Sequence, residues 1–196
     1  MKSKRTFLTA FTLAAISWAC VLQAQQISIF FSPNGGTTAA IMAEIDKAST
    51  SLDVAAYELT SRPIAAAIIA AKTRGVTCRV IIDPKALGQH TEAIQSILAA
   101  GIPLLPDHRE KIHHNKYAIV DGHITITGSF NWTNDAEKRN AENTVIIDDT
   151  TTATAFARDF AIHWSHSQQS QTKPATKRPE HRPRATLHHP QPSPTI

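Results

Sequence analysis

The chain has little cysteine, little glycine and few large aromatic residues: two Cys, seven Gly, three Trp and two Tyr among 196 residues. Cys20 lies in an apolar N-terminal stretch, so Cys78 stands alone in the domain that follows. No internal disulfide is therefore expected there, even in an oxidising compartment. Cys78 sits in the strand-like run Val76-Thr77-Cys78-Arg79-Val80-Ile81-Ile82-Asp83, which reads as a buried structural thiol and not a nucleophile. Internal repeats are missing too. Excess charge is also scarce where it would matter. The formal net charge is +4, but Lys2, Lys4 and Arg5 at one end, and Lys173, Lys177, Arg178, Arg182 and Arg184 against Glu180 at the other, account for more than all of it. The middle is left at about −3, so the high pI is no evidence that the core holds polyanions.

One uncharged, largely apolar run stands out, Thr6 to Leu22, behind the basic Met1-Lys2-Ser3-Lys4-Arg5 and before Leu22-Gln23-Ala24. This pattern predicts a cleaved secretory signal over residues 1–24, hence a periplasmic or secreted protein. The alternative is an uncleaved membrane anchor, for which the run is at the short limit. Residues 168–196 are rich in Pro, Gln, Thr, Lys, Arg and His and nearly devoid of apolar residues, a composition that predicts a disordered basic tail. His181, His188 and His189 in it are read as solvated and not as metal ligands.

Between these ends, residues 25–167 alternate strand and helix. Ile27 to Ser32 reads as a strand, and Thr37 or Thr38 caps a helix to about Ser49 with Ile41, Ile45 and Ala48 on one face. Strand 52–59 is followed by a helix opened by Thr60, Ser61 and Pro63 and ended by Gly75. Strand 76–82 is broken by Asp83-Pro84. A helix over 90–100, a strand over 102–105, a turn or short helix near 134–139, a strand over 144–147 and a last helix from Thr151 to about Ser167 complete the chain. The alternation predicts an α/β fold, a mixed central sheet with helices on both faces.

The richest stretch is His114 to Thr133, which reads H-x-K-x4-D-x6-G-S-x-N. Apolar and polar residues alternate on either side of Asp121-Gly122, the signature of a hairpin. His114 and Lys116 share a face at the head of its first strand, and Ser129 and Asn131 follow its second, so the hairpin gathers imidazole, ammonium, hydroxyl and carboxamide with few acids among them. That set suits a phosphodiester: a nucleophile or base with several donors for phosphate oxygens. Taken alone, an exposed His is a surface residue; His114 is singled out by the whole constellation. His113 points the other way and reads as supporting or exposed. His123 is a turn residue, Glu58 is as readily a solvated strand-end charge as a site residue, Trp132 shapes the pocket or simply packs, and Arg109 and Lys111 meet a phosphate backbone or water.

The spacing resembles the HKD motif of the phospholipase D superfamily, and Arg139-Asn140-Ala141-Glu142-Asn143 resembles the stretch after that motif in the small single-motif bacterial endonucleases. Tyr57-Glu58-Leu59-Thr60 resembles a stretch that lines such sites. The resemblance spans about Ile27 to Trp164. It implies metal-independent hydrolysis with no cofactor: His114 as nucleophile through a phosphohistidine, Lys116, Ser129 and Asn131 on the phosphate, and Glu142 holding the histidine tautomer. Gly128 and Asp121 match structural positions, Asp121 at the turn end of its strand. No metal ligands are expected at the motif, which offers Lys and Asn where metal nucleases hold carboxylates.

The implied function is a non-specific endonuclease on DNA, with RNA as a further substrate. Two alternatives stand beside it: a phospholipase D-type hydrolase of anionic lipid such as cardiolipin, with membrane association, and a non-catalytic nucleic-acid-binding module, which the intact motif disfavours. With one H-x-K in the chain, the expected assembly is a homodimer with its active site at the two-fold interface.

Overall fold

The computed structural model describes residues 26–172; the expected signal segment and nearly all of the expected tail lie outside them. In chain order the elements are β1 (Gln26–Ser32), α1 (Thr37–Lys47), β2 (Ser51–Ala56), α2 (Arg62–Thr73), β3 (Thr77–Ile82), α3 (Pro84–Gly88), α4 (Glu92–Ala99), β4 (Leu104–Pro106), β5 (Lys116–Val120), β6 (Ile124–Gly128), α5 (Asn134–Lys138), β7 (Glu142–Asp148) and α6 (Thr150–Thr172). The seven strands form one sheet in the order β1-β7-β6-β5-β2-β3-β4. The β2-β3-β4 pairs are parallel, as helical crossovers require, and the remaining pairs are antiparallel. The fold is the mixed α/β sheet the sequence implies.

The two faces are covered unequally. Alternate residues Leu52, Val54, Ala56, Val80, Ile82, Ala118 and Val120 meet Ile41 and Ile45 of α1, Ile64 and Ile68 of α2, and Ile94 and Ile97 of α4. Their neighbours Ala55, Ile81, Tyr117 and Ile119 point the opposite way, onto Ala153, Phe156 and Phe160 of α6. A single helix thus covers the second face. Its apolar residues recur at Ala153, Phe156, Ala157, Phe160 and Trp164, the spacing of one helical stripe. Arg79 closes this layer: its guanidinium lies 4.9 Å from the Phe160 ring centroid and binds both Asp53 oxygens at 2.7 and 2.6 Å.

The hairpin forms as its sequence dictates. Asp121 and Gly122 both take positive φ (50° and 69°), and His123 N–H returns to the Val120 carbonyl at 3.1 Å, a turn whose twist matches the strands it joins. Local caps are where the sequence puts them for α2, where Ser61 accepts from Ile64 N. They are not for α1. Neither Thr37 nor Thr38 caps it; Gly36 occupies the cap in the left-handed region, and the Glu137 carboxylate, from α5, accepts from Gly36 N and Thr38 N at 3.1 and 2.7 Å. A distant acid therefore supplies both the acceptor and the negative charge that a helix start favours.

Other boundaries shift. The second strand ends at Ala56 and not at Leu59, because residues 57–60 leave the sheet towards Trp132: Leu59 bridges Trp132, and Thr60 N and Ser61 N bind the Trp132 carbonyl. Asp83 breaks β3 as expected but also caps the unexpected α3 through Lys85 N. The helix expected over 90–100 spans Glu92–Ala99, and the strand expected over 102–105 is Leu104–Pro106. The final helix continues to Thr172, past the expected domain end at 167. No helix among the described residues is long and apolar enough to cross a membrane.

Candidate active site

Strand register brings the motif to one end of the sheet. Lys116 pairs with Ala56, the last residue of β2, and Tyr117 pairs with Thr127, one residue before Gly128. Gly128 pairs with Thr144, and Glu142 with Ser32 at the end of β1. The starts of β5 and β7 and the ends of β1, β2 and β6 therefore share one rim. Asp121 lies at the other.

On that rim His114 is exposed and Lys116 is buried. The Lys116 ammonium donates to the His114 carbonyl at 2.9 Å and lies 4.8 Å from the Tyr57 ring centroid. The Tyr57 and His114 rings are 4.5 Å apart, tilted by 57°. Tyr57 is thus a wall of the site, holding the imidazole from the side and facing the cation. The Y-E-L-T stretch after β2 was its signal in the sequence. Burial lowers the Lys116 pKa, while the charges of Glu142 and Glu58 act to raise it. The site is not as free of carboxylates as the motif alone suggests, since these two acids bear on its cation.

Ser129 and Asn131 follow β6 as expected. The Ser129 hydroxyl accepts from Asn143 N at 3.0 Å, and Ser129 N–H donates to the Asn143 carbonyl at 3.1 Å. The hydroxyl oxygen is fixed and its proton is left to donate. Asn131 Oδ1 is buried without a partner. Gly128 is required by close approach: a Cβ there would stand 2.2 Å from the Asn143 carbonyl oxygen, and φ is +152°. Trp132, expected either to shape the pocket or to pack, is 2% exposed and packs. Beside the site lies a cleft of about 380 Å³ lined by polar side chains, Glu58, Thr60, Thr133, Asn134, Asp135 and Asn140 among them.

Glu142 accepts from Asn140 Nδ2 at 3.2 Å, and among the described residues no hydrogen bond joins it to His114. Asp121, at the far rim, ties the hairpin turn to the start of β2. Its carboxylate accepts from the backbone N–H groups of Ser49, Thr50 and Ser51 and from the hydroxyls of Ser49 and Thr50, at 2.7–3.2 Å. Burial opposes its charge, but these donors outweigh burial and hold the carboxyl well below the usual carboxylate range. Cys78 is buried, and burial pushes its thiol up.

His113, read from the sequence as supporting or exposed, is not exposed. It is 2% exposed, on the α6 side of the sheet, facing Asp107 and His163. Arg109 is exposed and meets His166 of α6.

With this geometry in view, the comparisons are consistent. Residues 41–164 match the family model described as "Cardiolipin synthase, PLD-like domain". The chain is 37% identical to a phospholipase D of Rickettsia conorii over 71% of its own length and 70% of that protein. It is 32% identical to the mitochondrial cardiolipin hydrolase of Xenopus tropicalis, over 60% of this chain and 56% of that one. The crystal structure of a phospholipase D family member, Nuc from Salmonella typhimurium, superposes with a TM-score of 0.68 at 35% identity, covering 72% of this chain and 95% of Nuc. The chain belongs to the phospholipase D superfamily, and within it is a phosphodiester hydrolase.

Proposed function

We propose that the protein is an endonuclease that hydrolyses DNA, and RNA as a further substrate, by attack of His114 on phosphorus. The observation that carries this reading is the surface around the exposed imidazole. The cleft beside it is polar, offering hydroxyls, amides and carboxylates in place of apolar walls for acyl chains. A sugar-phosphate backbone can lie across such a rim. The proposed course begins with His114 bonding to phosphorus as the bond to the leaving oxygen breaks. Lys116, the Ser129 hydroxyl and the Asn131 amide hold the phosphoryl oxygens. Water then cleaves the phosphohistidine, and Glu142 supports the imidazole's charge. None of these steps calls on a metal, because the negative charge is met by an ammonium and neutral donors.

The reaction asks for an acid on the far side of phosphorus, which one His114 cannot supply. A second copy of the chain would supply it. The uncovered part of the α6 face supports such pairing. Ile27, Ile29 and Phe31 on the edge strand β1 are 54%, 58% and 66% exposed, and by register they share the face of Val145, Tyr117 and Ile119. This apolar strip ends at Phe31, opposite Asn143, beside the site. A subunit docked along it would bring its own rim towards this one.

Hydrolysis of an anionic phospholipid is the second reading. It is favoured by the Rickettsia relative named phospholipase D and by the exposed Ile112, 42% accessible, just before His114. The discriminating experiment incubates purified protein with plasmid DNA and with cardiolipin vesicles, each with excess EDTA. Plasmid cleavage that persists in EDTA, with intact vesicles, is the expected result. Release of phosphatidic acid with intact plasmid would favour the lipid reading, and loss of cleavage restored by Mg²⁺ would overturn the metal-free course.

A further inference from the structure

Behind the site, on the α6 face of the sheet, three chain segments converge on a buried group that phosphodiester hydrolysis does not use. Asp107 follows β4, His113 precedes β5, and His163 lies on α6. The side chains of Asp107 and His113 are 0% and 1% exposed, and that of His163 is 15% exposed. His163 Nδ1 stands 2.6 Å from Asp107 Oδ2, and His113 Nδ1 stands 3.5 Å from the same oxygen. One donor atom from each residue falls within 4.8 Å of the other two. His113 is the telling member. It is fully buried, its ring aims into the cluster with its centroid 5.1 Å from that of His163, and neither of its nitrogens has a hydrogen-bond partner. A buried imidazole with one nitrogen unpartnered and the other held only by a 3.5 Å contact with Asp107 is a costly arrangement, and a cation among the three side chains would satisfy the nitrogen that faces them.

We infer that Asp107, His113 and His163 form a binding site for a divalent transition metal of the zinc class, which clamps the loop carrying His114 to α6. Two imidazoles and one carboxylate are the donor set of such ions and not of Mg²⁺ or Ca²⁺, which take oxygen. The 3.5 Å separation of His113 Nδ1 from Asp107 Oδ2 is close to the edge of a tetrahedron with ligands about 2.0–2.1 Å from a zinc centre, and His163 Nδ1, hydrogen-bonded to the same oxygen at 2.6 Å, would exchange its proton for the ion and draw back to that spacing. Glu110, whose Oε2 is 3.8 Å from His163 Nδ1, or a water completes the fourth position. The surroundings match what ligands need to be held in place. The other nitrogen of His163, Nε2, faces Asp159 Oδ1 at 3.6 Å. The second oxygen of Asp107 accepts from Arg109 N at 3.0 Å. The backbone N–H of His113 is fixed by Asp83 Oδ2, also at 3.0 Å. One residue after His113 comes His114, on the opposite side of the chain. An ion here would sit behind the nucleophile's backbone and act on its position; it would not touch substrate.

The test uses the full chain, stripped with a chelator and then given Zn²⁺ alone. Equilibrium dialysis with metal analysis should find one zinc per chain, and at a hundredfold excess over its dissociation constant the melting temperature should rise by about 5–10 °C. His163→Ala, on the most accessible ligand, and Asp107→Asn should each lower zinc affinity by tenfold or more and abolish the rise, with circular dichroism reporting that the variants are folded. Substitution by Co²⁺ should give the visible absorption of a low-coordinate nitrogen and oxygen site in the wild type, and should lose it in His163→Ala. A folded wild type that takes up no zinc overturns the inference. So does zinc retained undiminished by folded His163→Ala, which would place it elsewhere, the His181, His188 and His189 segment first. These readouts are independent of nuclease activity, so failure here leaves the proposed hydrolysis standing, and activity restored by Mg²⁺ would count only against the latter.

Discussion

At the residue scale the burial of Lys116, opposed by the charges around it, predicts the pH behaviour. Burial lowers its pKa, and Glu142 and Glu58 act against that. If the ammonium holds phosphate, activity is present while Lys116 is protonated and falls as pH rises through its pKa. The alkaline limb of kcat/KM should then lie below the usual lysine range. Glu142→Gln removes one of the two charges that raise this pKa, so the limb should move to lower pH. Turnover at the optimum should drop about a hundredfold or more if Glu142 also steadies the histidine. A normal optimum rate with a shifted limb would confine Glu142 to its effect on Lys116, and a normal rate with an unmoved limb would remove it from the site. Asp121 makes the opposite kind of prediction, about stability alone. Its folded pKa is depressed, so its contribution is present above the ordinary carboxylate pKa and is lost as pH falls through the folded value. Asp121→Asn should lower stability by about 2 kcal/mol at pH 7, discounted for the solvent that reaches these bonds. Urea midpoints should differ between the two proteins at pH 7 and converge as pH drops well below 4. A gap that stays constant into that range would mean that shape, and not charge, carries the effect.

At the element scale, β6 and β7 meet where the motif needs them, and Gly128 sets how closely. Gly128→Ala places a methyl against the Asn143 carbonyl, so the strands must part where Ser129 exchanges hydrogen bonds with Asn143. The expected outcome is a folded protein with a melting temperature lower by several degrees, from about 1–3 kcal/mol of overpacking, and turnover reduced at least tenfold. A variant with unchanged turnover would show that the Ser129 position tolerates movement. The same pair of strands shows what sequence can and cannot reveal. The hairpin, the Ser61 start of α2 and the apolar stripe of α1 are legible because each depends on residues close together in the chain. The capping of α1 by Glu137, from far along the chain, is not, since it exists only after β1 and α5 are brought together. Tyr57 was visible as part of a stretch but not as the ring beside His114, because that contact depends on β2 pairing with β5. The cluster of Asp107, His113 and His163 carries no local signature at all. His113 reads as supporting or exposed until α6 covers it, and the other two stand unremarked in a loop and a helix.

At the scale of the whole molecule the question is whether one chain makes one site. A single rim carries one His114, one Lys116 and one Asn131, and in-line displacement needs a proton donor opposite the nucleophile. The described part of the chain also ends its sheet on an edge strand with Ile27, Ile29 and Phe31 exposed, a liability unless something covers it. The proposed two-fold pairing would answer both needs, with one His114 attacking and its mate protonating the leaving oxygen. Phe31→Lys, on the strip and outside the motif, should convert the protein to a monomer by sedimentation and abolish cleavage while leaving far-ultraviolet circular dichroism unchanged. Subunit mixing then tests the division of labour. Wild type and His114→Ala are refolded together in varied ratio, each shown to be folded on its own. If every site requires two histidines, specific activity should follow the square of the wild-type fraction, because only wild-type pairs work. A linear dependence, or a Phe31→Lys monomer with full activity, would mean that the acid lies within one chain. Glu58, whose charge already acts on Lys116, would then be the first residue to replace.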